Sequence, residues 1–139
     1  KEMFKTSGGK YIVPQQIESK LVESSFIEQA MVIGEARKFP AALIVPNYNK
    51  LLEWSKGTFP SLADLSKQDF LNSPELKQKI ESELNRINQN FGGWEQIKKL
   101  AILSNEMTVE TGELTPTLKM KRKVILQKYD REIEEIYKI

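Results

Sequence analysis

Two apolar stretches of strand length, separated by five residues, constrain this chain most. Residues 26–34 carry Ile27, Ala30, Met31, Val32 and Ile33, and residues 40–46 carry Ala41, Ala42, Leu43, Ile44 and Val45. Runs of this kind suit strands covered on both faces. The connector Glu35-Ala36-Arg37-Lys38-Phe39 is polar enough to turn the chain, so the two stretches are expected to be neighbouring central strands. Leu100-Ala101-Ile102-Leu103 offers a third. Strands buried on both sides need other layers to bury them, and the remaining sequence has to supply those layers.

It does so mainly as helices. Pro14 opens a helix over 15–23 with Ile17, Leu21 and Val22 as its apolar stripe. Asn47 is a suitable N-cap for a helix through Trp54, with Leu51 and Trp54 on one face. Residues 56–72 include Gly57 and Pro60 as breakers and read as short helical turns around Leu62, Leu65, Phe70 and Leu71. Ser73-Pro74 starts a long amphipathic helix through Leu76, Ile80, Leu84, Ile87 and Phe91, ended by Gly92-Gly93. Lys77/Glu81 and Lys79/Glu83 are spaced to pair on its outer face. A last helix over 121–137 turns Ile125, Tyr129, Ile133 and Ile136 inward, with Lys128/Glu132 and Arg131/Glu135 outside. At the other end, Lys1 to Pro14 reads as a β-hairpin around Ser7-Gly8-Gly9. The class expected is α+β: a small sheet, an N-terminal hairpin plus about three core strands, with helices packed on it.

Composition narrows the chemistry. The 139 residues hold no Cys and no His, which removes disulfides, a thiol nucleophile, a histidine base and the usual zinc ligands. A balance of 21 Lys+Arg against 19 Asp+Glu is too even to announce a nucleic-acid partner. No apolar run approaches the ~18 residues needed to cross a bilayer. The chain starts at Lys1 inside a patterned segment, so the expectation is one domain, 1–139, of a longer cytoplasmic protein, with peripheral membrane contact left open.

Chemistry concentrates in Gly112-Glu113-Leu114-Thr115-Pro116-Thr117-Leu118-Lys119-Met120-Lys121-Arg122. Gly112 can take positive φ, and Pro116 stiffens the middle of the segment. The segment thus reads as an ordered arm that carries the ammonium of Lys119 into a cleft. Residues 104–111 are polar and read as an extended approach to it.

This wording resembles the C-terminal lysine motif of the adenylate-forming (AMP-binding) enzymes, and most closely that of the long-chain fatty acid–CoA ligases. Lys5-Thr6-Ser7-Gly8-Gly9-Lys10-Tyr11, with Pro14 and Ile17-Glu18 after it, is similar to the start of the same family's C-terminal domain. Thr108, Glu110 and Gly112 fit a third pattern, although Thr111 stands where Asn is common. The resemblance implies a mobile C-terminal domain serving two half-reactions. Lys119 would be catalytic, meeting the acyl carboxylate and the α-phosphate of ATP as acyl-adenylate forms. Gly8 and Gly9 would then line the pantetheine channel of CoA, with Lys5 and Lys10 on the same side, and Lys1 would be the hinge. ATP, CoA and Mg2+ are implied for the full-length enzyme, and the partner would be its own N-terminal adenylation domain, which holds the fatty acid. No metal ligand is expected in this chain, and the domain alone is expected to be inactive. Two alternatives remain: another adenylate-forming enzyme, such as an aryl or medium-chain acyl–CoA ligase, or a small basic nucleic-acid-binding module using Lys10 and residues 119–123. The near-balanced charge and the lack of aromatic residues among the basic ones weigh against the last.

Overall fold

The structure is a computed structural model that describes residues 2–138. The chain opens on a two-stranded antiparallel hairpin, β1 (Phe4–Lys5) and β2 (Tyr11–Ile12), with Phe4 opposite Ile12 and Lys5 opposite Tyr11. Helix α1 (Pro14–Leu21) comes next, with Pro14 in its first turn, where a missing N–H costs nothing. Then come β3 (Ile27–Ile33) and β4 (Ala41–Pro46), joined antiparallel, and β5 (Lys99–Ile102), parallel to β4. The sheet order is β3-β4-β5. Three helices fill the crossover from β4 to β5: α2 (Tyr48–Thr58), α3 (Lys67–Leu71) and α4 (Pro74–Asn88). The chain ends in α5 (Arg122–Lys128) and α6 (Asp130–Tyr137).

Strand alternation divides the interior in two. Ala30, Val32, Ala42 and Ile44 face a core completed by Ile17 and Leu21 of α1 and by Leu76, Ile80, Leu84 and Ile87 of α4. Met31, Ile33, Ala41, Leu43 and Val45 face a second core with Ile125, Tyr129, Ile133 and Ile136 of the last two helices. The sheet is therefore covered on both faces, as its apolar strands require.

Several boundaries differ from the sequence reading. Helix α2 runs through Gly57 to Thr58 and stops only where Pro60 forces Phe59 out of the helical region (φ −136°, ψ 72°). Helix α4 ends at Asn88, ahead of Gly92-Gly93, because the buried Asn88 amide exchanges two hydrogen bonds of 2.9 Å with the backbone of Ile97. Residues 104–111 form turns and not an extended arm; Met107 is buried there, and its backbone N–H and C=O are both bonded to the Gln29 side chain. The last helix is two helices, meeting at Tyr129, yet the bonds from Tyr129 N–H to Ile125 O and from Ile133 N–H to Tyr129 O carry the inward stripe across the break. Of the four surface pairs expected, only Lys79–Glu83 (3.7 Å) forms among the described residues. Lys128 turns instead to Glu113, 3.4 Å away.

Candidate functional site

The segment around Lys119 is a miniature hairpin. Leu114 pairs with Met120 in an antiparallel bridge, and Lys121 N–H donates to Glu113 O at 2.8 Å. Within it, Leu118 N–H donates to Thr115 O (2.7 Å) and Thr115 N–H to Lys119 O (2.8 Å). The Thr115 hydroxyl oxygen accepts from Lys119 N–H at 3.0 Å. Leu118 adopts φ +66°. This is a β-turn ending in a left-handed residue, a standard three-residue hairpin loop, with Pro116 at the position where its fixed φ is favourable.

The diglycine loop is built the same way. Gly9 N–H donates to Thr6 O (3.0 Å) and Thr6 N–H to Lys10 O (2.9 Å), and the Thr6 hydroxyl oxygen accepts from Lys10 N–H at 3.2 Å. The left-handed position is Gly9, at φ +83°. Thr6-Ser7-Gly8-Gly9-Lys10 and Thr115-Pro116-Thr117-Leu118-Lys119 therefore share one bonding scheme, each ending in an exposed lysine. Gly8 is not in the positive-φ region, so of the two glycines only Gly9 takes the left-handed conformation. Nothing lies within 4 Å of a Cβ built at Gly8 or Gly9. Lys5 Nζ sits 5.5 Å over the Tyr11 ring, and Lys10 Nζ 5.7 Å over Trp94.

Two buried acids lie at the base of the lysine hairpin and beside it, and the sequence reading gave neither a role. Glu113 sits at the base of the lysine hairpin, fully buried. Its carboxylate accepts from the Tyr129 hydroxyl at 3.0 Å and from Thr111 Oγ1, with Lys128 Nζ nearby. Burial alone would raise its pKa, but the bonds from Thr111 and Tyr129 and the Lys128 charge hold it below the usual carboxylate range. Burial and the Glu113 carboxylate push the Tyr129 hydroxyl up to about 12. Thr111 thus has a job in which an unusual residue matters: its hydroxyl ties the loop's acid to the turn before it. Because the folded pKa of Glu113 is depressed, its stabilisation is complete above the unfolded carboxyl pKa and is lost as pH falls through the folded value. Urea unfolding of Glu113→Gln is accordingly expected to show a shallower acid limb than the parent; identical slopes below pH ~4.3 would contradict this.

Glu18 is the second. From α1 its Oε2 accepts the Val32 N–H of edge strand β3 (2.7 Å), a buried bond. Both carboxylate oxygens also take a two-pronged bond from Arg122, at 2.7 and 2.8 Å. Arg122 Nε reaches Glu2 at 2.8 Å. The Glu18 carboxylate outweighs the effect of burial and raises the Arg122 pKa further. The only hint of this cluster in the sequence is the Ile17-Glu18 pair inside the N-terminal motif.

The depression beside Lys119 is lined by Glu2, Gln15, Glu18, Thr115 and Arg122, and it contains neither Gly8 nor Gly9. Both of its acids are engaged by Arg122, and among the described residues Lys119 forms no ion pair. The diglycine loop is anchored elsewhere, through Ser7 N–H to Arg37 O (2.8 Å) and Ala36 N–H to Lys5 O (3.0 Å). The two lysine loops are thus separate features of one scaffold. Lys1, read as the hinge, lies outside the described residues, one position before Glu2.

Known proteins resemble this chain in sequence and in fold. FadD15, a long-chain-fatty-acid–CoA ligase of Mycobacterium tuberculosis, is 36% identical over 137 residues, which is 99% of this chain and 23% of that protein. Long-chain-fatty-acid–CoA ligase 6 of Homo sapiens is 32% identical over 144 residues, 100% of this chain and 20% of that protein. The A-PCP didomain of a carboxylic acid reductase from Segniliparus rugosus, solved in complex with AMP, matches with a TM-score of 0.76 at 20% identity, over 99% of this chain and 17% of that one. That last likeness speaks for the fold alone. The chain spans only about a fifth of each of these ligases. The model of the AMP-binding enzyme C-terminal domain matches residues 2–139, and with these relatives spanning the whole chain, the chain belongs to that family.

Proposed function

We propose that this chain is the C-terminal domain of a long-chain fatty acid–CoA ligase and serves its two half-reactions with its two lysine loops in turn. The observation that carries this is the matched pair of rigid loops, each ending in an exposed lysine and set apart on one scaffold. In the first half-reaction the fatty acid carboxylate attacks the α-phosphorus of ATP. The new carboxylate–phosphorus bond forms as pyrophosphate leaves. Two anions approach and charge grows on phosphoryl oxygens, so a fixed cation lowers the barrier. Lys119 is suited to this because its ammonium is exposed, free of ion pairs among the described residues and carried on a braced hairpin. The two acids beside it both bond Arg122, which offsets part of their charge, and neither pairs with the Lys119 ammonium.

In the second half-reaction the CoA thiolate attacks the acyl carbon and AMP departs. A narrow pantetheine arm needs a wall without side chains, and Gly8 and Gly9 provide one, with Lys5 and Lys10 beside it. Rotation of the domain between the steps withdraws one loop and presents the other. Lys1 is the hinge in this reading, and the adenylation domain holds the nucleotide and the acyl chain. Among the described residues no three acidic side chains converge on a metal-binding position, so no step is assigned here to Mg2+. No described helix is long and apolar enough to cross a membrane.

The test uses the enzyme that carries this chain behind its adenylation domain. With a long-chain fatty acid, ATP and CoA it is expected to release acyl-CoA, AMP and pyrophosphate. A Cβ at Gly8 meets nothing within 4 Å, so the melting temperature of Gly8→Leu should hold while thioester formation from preformed acyl-adenylate falls about 100-fold, the cost of misplacing the reacting arm by about an ångström. Pyrophosphate exchange should stay near the parental rate. A Gly8→Leu enzyme with full thioester activity would remove the diglycine loop from the mechanism.

A further inference from the structure

The two lysine loops share a backbone but differ at the position where that backbone is strained. Gly9 occupies it in one loop (φ +83°) and Leu118 in the other (φ +66°). A side chain is unfavourable there, because its Cβ crowds the next carbonyl. The diglycine loop demonstrates that glycine satisfies the same hydrogen bonds. Leu118 does not recover the cost by packing within the domain. It is 68% exposed, the highest value among the exposed large hydrophobic residues. It lines both the polar depression of Lys119 and a second, shallow one that also carries Val22, Ala30, Met107 and Met120, yet most of its surface stays open to solvent. Strain of this kind persists where the side chain is used elsewhere.

We propose that Leu118 is an apolar anchor: when the hairpin delivers Lys119, the Leu118 side chain is buried in an apolar recess of the adenylation domain and fixes where the neighbouring ammonium stops. This rests on the reading of Lys119 given above. The partner is the rest of the same enzyme, since the chain matches only 20–23% of its ligase relatives. A bare lysine on a flexible stem does not fix its own position. A rigid apolar neighbour one residue away does, because it is bound on the same backbone turn. Burial of one leucine side chain favours the closed arrangement by about 10- to 100-fold. Leu118 is a positioning residue in this scheme and takes no part in the chemistry.

The experiment compares Leu118→Gly, Leu118→Asn, Leu118→Met and Lys119→Ala in the full-length enzyme. It measures pyrophosphate exchange, thioester formation from preformed acyl-adenylate, and melting temperature. Glycine and asparagine both tolerate positive φ, so neither should lower the melting temperature. Both should reduce kcat for adenylation about 10- to 100-fold, with KM for ATP nearly unchanged and thioester formation intact. Leu118→Met keeps an apolar side chain and should restore most of the rate. A parental adenylation rate in Leu118→Gly would show that only the backbone matters and would overturn the anchor, as would equal loss in both half-reactions or a Met variant as poor as the Gly one. Lys119→Ala separates the levels: if it spares adenylation, the underlying reading of the loop fails; if it abolishes adenylation while Leu118→Gly does not, the anchor alone fails.

Discussion

Lys119→Ala in the full-length enzyme is expected to slow acyl-adenylate formation about 100- to 1,000-fold, the usual cost of removing one preorganised group aimed at developing charge. Thioester formation from supplied acyl-adenylate should be almost unaffected, because in the proposed scheme the lysine hairpin is withdrawn in that step. The substitution should not disturb the fold. Lys119 is exposed, and the two bonds that close its loop use its backbone N–H and C=O, which alanine retains. The loss should appear mainly in kcat, since the cation acts on charge that grows between ground and transition state. Lys119→Arg should recover only part of the rate, because a planar guanidinium cannot replace a compact ammonium at one phosphoryl oxygen. Half-reactions measured separately by pyrophosphate exchange and by single-turnover thioester formation decide the matter. Equal loss in both would refute the assignment of Lys119 to adenylation.

The layers of the fold were legible because burial on two faces leaves a plain trace in sequence. The apolar residues of β3 and β4 alternate between the two cores, and the stripe Ile125, Tyr129, Ile133, Ile136 survives even where its helix breaks. Helix ends were harder, because side chains remote in sequence decide them. Asn88 stops α4 by bonding Ile97, and nothing near Asn88 announces that partner. The motifs around Lys119 and Gly8-Gly9 could be quoted from the chain directly, but the bonding scheme they share could not. Thr6 and Thr115 are 109 residues apart by number, and only the carbonyls they face reveal the same loop. Glu18 and Glu113 were invisible for a related reason: an acid in an amphipathic helix or a turn usually points to water, and these two are buried by contacts to Arg122 and Tyr129.

Glu18→Ala is expected to destabilise the domain by about 3–5 kcal/mol. Three partners lose their acceptor together: the buried Val32 N–H of the edge strand and two nitrogens of Arg122. The guanidinium would be left with only exposed Glu2, and an unpaired, partly buried cation costs far more than the pair contributes. A domain of this size has about 5–15 kcal/mol in all, so the loss should be plain in urea unfolding of the chain. Glu18→Gln keeps an acceptor for Val32 and should cost less. Removing both partners with apolar residues of similar volume, Glu18→Leu with Arg122→Met, should cost less than the sum of the single changes, because no charge is stranded. The same bridge joins α1, the start of α5 and Glu2, so its loss should also loosen the base of the lysine hairpin and reduce adenylation beyond the fraction unfolded. A Glu18→Ala chain within about 1 kcal/mol of the parent, or single changes that simply add, would mean that the Arg122 bridge does not support the loop.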